Sequence, residues 1–280
     1  MMLKLLLFLS VKKLKKGLLW VTGICVVLYA GICGYFYFSQ EHLIFPGTKV
    51  EPGHRYTFYL PNHEFNIKTY DGQTLDGYLF KTADKQSKGL IFILHGNAGN
   101  VQRWSRSVVN YANLGYDAFV LDYPGYGKST GKLHSLDQLF KGVQTAYDSL
   151  KHYYPENRIT ILGYSIGTGP AAWLAANNHP TKLLLLAPYY SLDDLAFRDY
   201  PFLPDFILKY QINTYQYIQH VSAPVTIFHG DEDEVVYYGS SLKLKPYLKK
   251  GDTLITLKGQ KHEHFDDNPV YINDLKGILH

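Results

Sequence analysis

A serine flanked by two glycines follows a strand-like segment near the middle of the chain. The pattern is Gly163-Tyr164-Ser165-Ile166-Gly167, placed between the apolar run Ile159–Leu162 and the small-residue segment Thr168–Ala176. Glycines on both sides of a serine let the neighbouring backbone pack closely on a sharp strand-to-helix turn. Such a turn holds the hydroxyl over the sheet edge at a helix N-terminus, where a developing anion is favoured. The context therefore predicts that Ser165 is a nucleophile.

A serine nucleophile needs a general base, and the base needs an acid that orients it. Two downstream segments, 229–236 and 258–264, each directly follow an apolar run that predicts a strand. The carboxyl ends of parallel strands meet at one edge of a sheet, so both segments should reach the same site. Together they supply the candidate acids and bases: Asp231, Glu232, Asp233, Glu234, His262 and His264. On these residues alone the acid and the base both stay open.

A third segment, His95-Gly96-Asn97, closes another predicted strand. The backbone N–H of Asn97 and that of Ile166, the residue after the serine, could together bind an oxyanion. The side chains of Asn97 and Asn100 are also typical turn formers. Asp122 and Tyr123 are expected to fix their own loop rather than to touch a substrate.

Short strands and helical segments alternate behind residue 40. An antiparallel hairpin is predicted around the turn Asp71-Gly72. The strands are predicted at Glu64–Tyr70, Leu75–Lys81, Leu90–Leu94, Ala118–Leu121, Ile159–Leu162, Leu183–Ala187, Val225–Phe228 and Leu254–Leu257. Apolar residues recur at helical spacing in four segments and predict helices at roughly 101–114, 134–153, 167–178 and 238–250. This order predicts an α/β fold with a mostly parallel, doubly wound sheet.

One interval interrupts this alternation. Tyr189–His220 lies between two predicted strands and carries nine aromatic residues together with Pro201 and Pro204. It is too long for an ordinary connection. We interpret it as a small, aromatic-rich cap insertion at about 189–222, over the carboxyl ends of the strands.

The N-terminal segment predicts a membrane anchor. Leu18–Phe38 is 21 residues long without a charge, and a helix of that length spans roughly 30 Å, the hydrocarbon thickness of a bilayer. A cleaved signal peptide would have a shorter apolar region followed by small residues. The lysines lie before the span: Lys4, Lys12, Lys13, Lys15 and Lys16. Positive charge stays in the cytoplasm, so we expect a single-pass protein whose catalytic part is periplasmic, luminal or extracellular.

Charge and cysteine content exclude other classes. The chain has 28 basic and 24 acidic residues, but five lysines lie in the first 40 residues, which leaves 23 basic residues against 24 acidic ones. A nearly neutral globular part does not favour nucleic acid as a partner. Both cysteines, Cys25 and Cys33, fall in the anchor, so the remainder has neither a disulfide framework nor a thiolate metal site.

Four motifs in order resemble those of the α/β-hydrolase superfamily, and more narrowly those of the membrane-anchored serine hydrolases called ABHD or Bem-like proteins. The motifs are His95–Asn100, Leu121–Ser129, Gly163–Gly169 and His229–Val236, and Leu43-Ile44-Phe45-Pro46 matches a segment that follows the anchor in these relatives. The resemblance implies Asp233 as the acid, from H-G-x-x-D-x-V, and His262 as the base, from G-x-x-H. It implies the oxyanion amides of Asn97 and Ile166 as well. His264 departs from the pattern.

Residues 1–39 are therefore predicted to be the cytoplasmic N-terminus and anchor, and residues 40–280 the hydrolase domain with its cap. The expected function is hydrolysis of a carboxylic ester or thioester, with a lipid, lysolipid or other acylated molecule as substrate and no metal or organic cofactor. A serine aminopeptidase on the same fold is the first alternative, because the cap offers carboxylates that could bind an amine: Asp193, Asp194, Asp199 and Asp205. The second is a non-catalytic binding protein.

Overall fold

The computed structural model describes residues 2–51 and 53–279. Within these residues the chain forms nine α-helices and eight β-strands. The helices are α1 Met2–Ile44, α2 Val101–Trp104, α3 Val108–Asn113, α4 Leu136–Lys151, α5 Thr168–Ala176, α6 Leu192–Asp199, α7 Thr214–Ile218, α8 Gly239–Leu244 and α9 Pro269–Leu279. The strands are β1 Asn62–Lys68, β2 Thr74–Phe80, β3 Leu90–Leu94, β4 Asp117–Leu121, β5 Ile159–Tyr164, β6 Lys182–Leu186, β7 Val225–Gly230 and β8 Thr253–Leu257.

The eight strands form one sheet in the order β1-β2-β4-β3-β5-β6-β7-β8. β1 pairs antiparallel with β2, and β2 with β4, while the pairs from β4 through β8 are all parallel. Each predicted strand is present within two residues of its predicted ends. The strands could be predicted from the sequence because central strands, which are buried on both faces, are continuously apolar. The predicted mostly parallel α/β sheet is confirmed.

Helices cover both faces of the sheet. Apolar residues of α4 and α5 pack on one face, in a core that includes Leu139, Val143 and Ala171. Residues of α2, α3 and α9, among them Val108 and Leu275, pack on the other. The loops at the carboxyl ends of the parallel strands therefore converge on one edge, between the two helical layers.

The helical segments differ from the prediction in detail. The stretch 101–114 is divided into α2 and α3 by a turn at residues 105–107. The segment 238–250 stays α-helical only to Leu244 and then tightens into a 3₁₀ turn at Lys245–Tyr247, because Pro246 cannot donate a helix hydrogen bond. The C-terminal helix α9 was not predicted.

α1 is continuous from Met2 to Ile44, and its stretch Lys12–Ile44 is long and apolar enough to cross a membrane. It runs five residues past the predicted anchor boundary at residue 39. Its last turns contact the interval predicted as a cap: Gln40 donates from Nε2 to the Ile207 carbonyl at 2.8 Å and accepts from the Lys209 N–H at 2.8 Å. The division between anchor and hydrolase domain stays a prediction.

Candidate active site

Ser165 occupies a strained turn between β5 and α5. A short 3₁₀ turn, Ser165–Gly167, joins the two elements, and Ser165 itself has φ of +51°. That backbone region is rare for residues other than glycine and persists where the surroundings enforce it. A Cβ on Gly163 would lie 2.6 Å from the Ala171 Cβ, and one on Gly167 would lie 2.1 Å from the Leu94 carbonyl oxygen. The requirement for both glycines, predicted from the sequence, is confirmed.

The three residues assigned from the motifs form a continuous chain of hydrogen bonds. His262, in the loop after β8, places Nε2 3.0 Å from Ser165 Oγ. Its Nδ1 lies 2.8 Å from Oδ2 of Asp233, in the loop after β7. All three residues are buried. This is the spacing at which an imidazole can take a proton from a serine while a carboxylate holds the ring.

The structure distinguishes Asp233 from its three acidic neighbours, which are exposed. The Oδ1 atom of Asp233 accepts the backbone N–H groups of Val235 at 2.9 Å and Val236 at 2.8 Å. Burial by itself would raise the pKa of Asp233, but contacts from His229 and His262, together with the backbone donors, lower it well below its ordinary value. Asp233 is therefore ionised at neutral pH. Asp231 instead accepts the N–H of Gly259 at 2.7 Å.

Burial and contacts also distinguish the two candidate bases, His262 and His264. His264 is in the left-handed region with φ of +68°, and its side chain is 77% exposed. Its ring lies 3.4 Å from Asp267, away from Ser165. His262 is held in place by the Tyr164 hydroxyl, which donates to its carbonyl oxygen.

Asn97 and Ile166 line the same pocket as Ser165. Ile166 lies in the first turn that follows β5, where N–H groups have no partner inside the helix. Buried tyrosines fix both residues: Tyr126 donates to the Asn97 carbonyl at 3.0 Å, and Tyr189 donates to the Ile166 carbonyl at 3.2 Å. Asn97 and Ile166 thus line one pocket with Ser165, and their amides stay the predicted oxyanion donors.

Two histidines that sequence reasoning left without a role support this arrangement. His229 is fully buried, donates from Nε2 to the Val236 carbonyl at 2.7 Å and lies 3.4 Å from Asp233 Oδ2. His95, also fully buried, places Nδ1 2.7 Å from the Gly96 carbonyl, whose peptide bond carries the Asn97 N–H. Both begin a His-Gly pair at the carboxyl end of a strand, and this shared position is the signal that could have identified them.

A pocket of about 290 Å³ extends from Ser165 and is lined mainly by apolar side chains. α6 and the segment after it form one wall, with Leu192, Leu195 and Leu203. The end of α1 forms another, with Phe36, Gln40 and Leu43. The contribution of α1 was not predicted, because the sequence shows this helix only as an anchor.

Comparisons with known proteins find similar sequences and similar folds. The family model described as serine aminopeptidase, S33, matches residues 85–216, which include Asn97 and Ser165 but end before Asp233 and His262. Alpha/beta hydrolase domain-containing protein 17B of Homo sapiens is 29% identical over 222 residues, covering 77% of this chain and 74% of the human protein. The chain belongs to the α/β-hydrolase superfamily.

Other known proteins match over an equal or larger share of the chain. An uncharacterized protein of Mycobacterium tuberculosis is 27% identical over 268 residues and covers 92% of this chain and 94% of its own. Among solved structures, an esterase of Pyrococcus furiosus superposes with a TM-score of 0.65 at 19% identity, over 83% of this chain and 94% of that one. Est1E of Butyrivibrio proteoclasticus superposes with a TM-score of 0.64 at 21% identity, over 77% of this chain and 97% of its own. At these identities the two structures establish the fold.

Proposed function

We propose that the chain is a serine hydrolase that cleaves carboxylic esters or thioesters of apolar acyl groups. The observation that carries the proposal is the hydrogen-bonded series Asp233–His262–Ser165, whose serine lines a mainly apolar pocket. A binding protein would have no need of an ionised carboxylate, an oriented imidazole and a strained serine in contact with one another.

The reaction follows from the geometry. Ser165 Oγ attacks the acyl carbon while His262 Nε2 takes its proton, and Asp233 stabilises the imidazolium that forms. The N–H groups of Asn97 and Ile166 stabilise the negative charge on the former carbonyl oxygen. His262 then returns the proton to the leaving alcohol or thiol, which departs and leaves an acyl-serine. Water, deprotonated by the same imidazole, releases the acid and regenerates Ser165.

The test is fluorophosphonate labelling of the detergent-extracted protein, combined with hydrolysis of chromogenic esters of increasing acyl length. We expect labelling at Ser165 and a rate that rises with chain length until the pocket is filled. Ser165→Ala should abolish labelling and leave well under a thousandth of the turnover. Labelling of the alanine variant at the wild-type level would refute the assignment of the nucleophile.

Serine aminopeptidase activity is the second candidate, because the matching family model carries that description and Asp199 lies on the pocket wall. Asp194, which was also a candidate to bind an amine, is paired instead with Lys243 at 2.5 Å and with the Tyr237 hydroxyl at 2.8 Å. An aminoacyl chromogenic amide distinguishes the two activities. Faster turnover of that amide than of any acyl ester would favour the peptidase.

We also propose that α1 anchors the chain with the hydrolase domain on the non-cytoplasmic side of the membrane, as the lysines before the span indicate. A topology reporter fused after residue 280 should give a periplasmic, luminal or extracellular signal. A cytoplasmic signal would reverse the orientation and leave the anchor itself in place.

A further inference from the structure

The second half of α1 lies against the cap over about three helical turns. The hydroxyl of Tyr29 donates to the Phe202 carbonyl at 2.8 Å, and the Phe36 ring lies 4.9 Å from that of Tyr200. Further along, Gln40 is bonded to the backbone of Ile207 and Lys209. The same helix that is apolar enough to span a bilayer is therefore also a structural part of the hydrolase.

The contacts of Tyr29 and Phe36 lie within the uncharged run Leu18–Phe38 of the helix, and those of Gln40 lie just beyond it. Tyr29 is nine residues before Phe38, the end of that run, which corresponds to about 14 Å along the axis at 1.5 Å per residue. Half of the hydrocarbon thickness of a bilayer is about 15 Å. If α1 crosses the membrane, residues 200–206, here called the cap tip, lie beside it at the depth of one leaflet.

The cap tip has the side chains that such a position requires. Its sequence is Tyr200-Pro201-Phe202-Leu203-Pro204-Asp205-Phe206, and its three aromatic residues are exposed. Phe206 is 84% exposed. Exposed aromatic clusters next to an apolar helix are typical of surfaces that enter a membrane interface. The exposed carboxylate of Asp205 limits insertion to a depth at which it still reaches the headgroups.

The pocket connects the cap tip with the nucleophile. Tyr200, Leu203 and Pro204 of the tip line the same pocket as Ser165. Phe36 and Leu43 of α1 also form part of its wall. An acyl chain that enters beside α1 would thus move from the apolar bilayer to an apolar pocket.

We propose that Ser165 acts on an acyl ester or thioester that resides in the bilayer, and that the acyl chain enters the pocket between α1 and the cap tip without crossing water. This inference rests on the proposed serine-hydrolase function and adds the source of the substrate. Long acyl chains partition into bilayers because their transfer to water is unfavourable. A route bounded by α1 removes that cost.

The experiment uses the full chain in phosphatidylcholine vesicles with two substrates. One is a long-chain acyl ester of a fluorogenic alcohol embedded in the vesicles, and the other is soluble p-nitrophenyl acetate. Phe206→Asp should lower turnover of the embedded ester at least tenfold and change acetate turnover less than twofold, because Phe206 is outside the pocket lining. The matched control is Tyr59→Asp, which changes an aromatic residue that is 94% exposed elsewhere, and it should change neither rate.

An equal rate on the embedded ester for Phe206→Asp and Tyr59→Asp would overturn the proposal. So would equal losses on both substrates with Phe206→Asp. If the wild-type chain hydrolyses neither substrate and takes no fluorophosphonate, the serine-hydrolase function itself fails, which is a different result.

A readout independent of activity locates the cap tip directly. Phe206→Trp and Tyr59→Trp are each compared with the wild-type chain in vesicles that contain lipids brominated in the acyl chains. The added fluorescence of Phe206→Trp should be quenched, and that of Tyr59→Trp should not. An unquenched signal from Phe206→Trp would place the tip in water and overturn the proposal.

Discussion

Two buried histidine–aspartate pairs lie near Ser165, and they differ in where the proton is held. In the pair His262–Asp233, Nδ1 faces the carboxylate and Nε2 faces the serine hydroxyl. In the pair His95–Asp122, Nδ1 faces the Gly96 carbonyl and Nε2 lies 3.2 Å from Asp122 Oδ1. A carbonyl oxygen only accepts hydrogen bonds, so His95 must carry its proton on Nδ1. The two rings are thus oriented in opposite ways toward their carboxyl groups.

The carboxyl groups differ because their donors differ. Asp233 accepts two backbone N–H groups at Oδ1, whereas Asp122 accepts one, from Val101 at 2.9 Å. Asp122 Oδ2 has no hydrogen-bond partner among the described residues. Burial therefore dominates and raises the pKa of Asp122, while the pKa of Asp233 is lowered. Nε2 of His95 faces Asp122, whereas Asp233 is ionised and accepts from Nδ1 of His262.

The comparison indicates that one pair moves protons and the other positions backbone. In the proposed mechanism, an ionised Asp233 stabilises the imidazolium that forms when His262 takes the serine proton. His95 instead contacts the carbonyl of the peptide bond whose N–H belongs to Asn97, so we expect its effect on catalysis to pass through the proposed oxyanion site. The same two residue types therefore serve different purposes according to their hydrogen-bond donors.

The largest expected effect is at His262. His262→Ala removes the general base and should lower turnover by at least a thousandfold. His264→Ala, two residues away, should cost tenfold or less because that side chain is exposed and faces Asp267. Turnover of acyl esters by both purified variants checks this. If His264→Ala proves inactive while His262→Ala remains active, the assignment of both loops is wrong.

Asp233→Asn should cause the second largest loss of turnover. The amide oxygen accepts a weaker hydrogen bond from His262 than a carboxylate does, and the imidazolium loses its counter-charge, so turnover should fall on the order of a thousandfold or more. Asp231→Asn is the matched control in the same loop and should stay within a few-fold of wild type. Equal losses in the two variants would contradict the assignment of the acid.

His95 should have a smaller effect of a different kind. Removing an entire oxyanion donor costs on the order of 100- to 1,000-fold in kcat, so displacement of the Asn97 amide in His95→Ala should cost roughly 10- to 100-fold. The loss should appear in kcat with little change in KM, because the interaction belongs to the transition state. His95→Asn keeps a donor near the Nδ1 position and should recover part of the loss. A change confined to KM would argue against a role at the oxyanion site.

The smallest expected effect is on the pH dependence of stability, which should differ between the carboxyl groups of Asp233 and Asp122. The pKa of Asp233 is lowered on folding, so its stabilisation is present above the unfolded value of about 4 and is lost as pH falls through the folded value. The pKa of Asp122 is raised, so its contribution is full below about pH 4 and is lost as pH rises through the folded value.

Melting temperatures between pH 3 and 8 test this difference. From acid to neutral pH, Asp122→Asn should gain stability relative to wild type and Asp233→Asn should lose it. Parallel pH profiles for the two variants would show that the carboxyl groups titrate alike.

Much of the fold could be predicted because its signals are local. Buried central strands are apolar throughout, so the runs from Leu90 to Leu257 mark the parallel sheet. α9 was not predicted, and its start at Pro269 depends on Asn268, whose side chain accepts the Val270 N–H at 2.9 Å. The break between α2 and α3 likewise required the structure.

For the site, the sequence by itself determined the turn at Ser165, because only glycine fits at positions 163 and 167. It also limited the acid and the base to two loops. Asp233 and His262 were selected from those loops by the motif resemblance and not by a physical argument. Only the tertiary structure shows that the backbone donors converge on Asp233 and that His264 faces away. It alone also places α1 against the pocket and His95 against the Gly96 carbonyl, because contacts between residues so distant in sequence leave no local pattern.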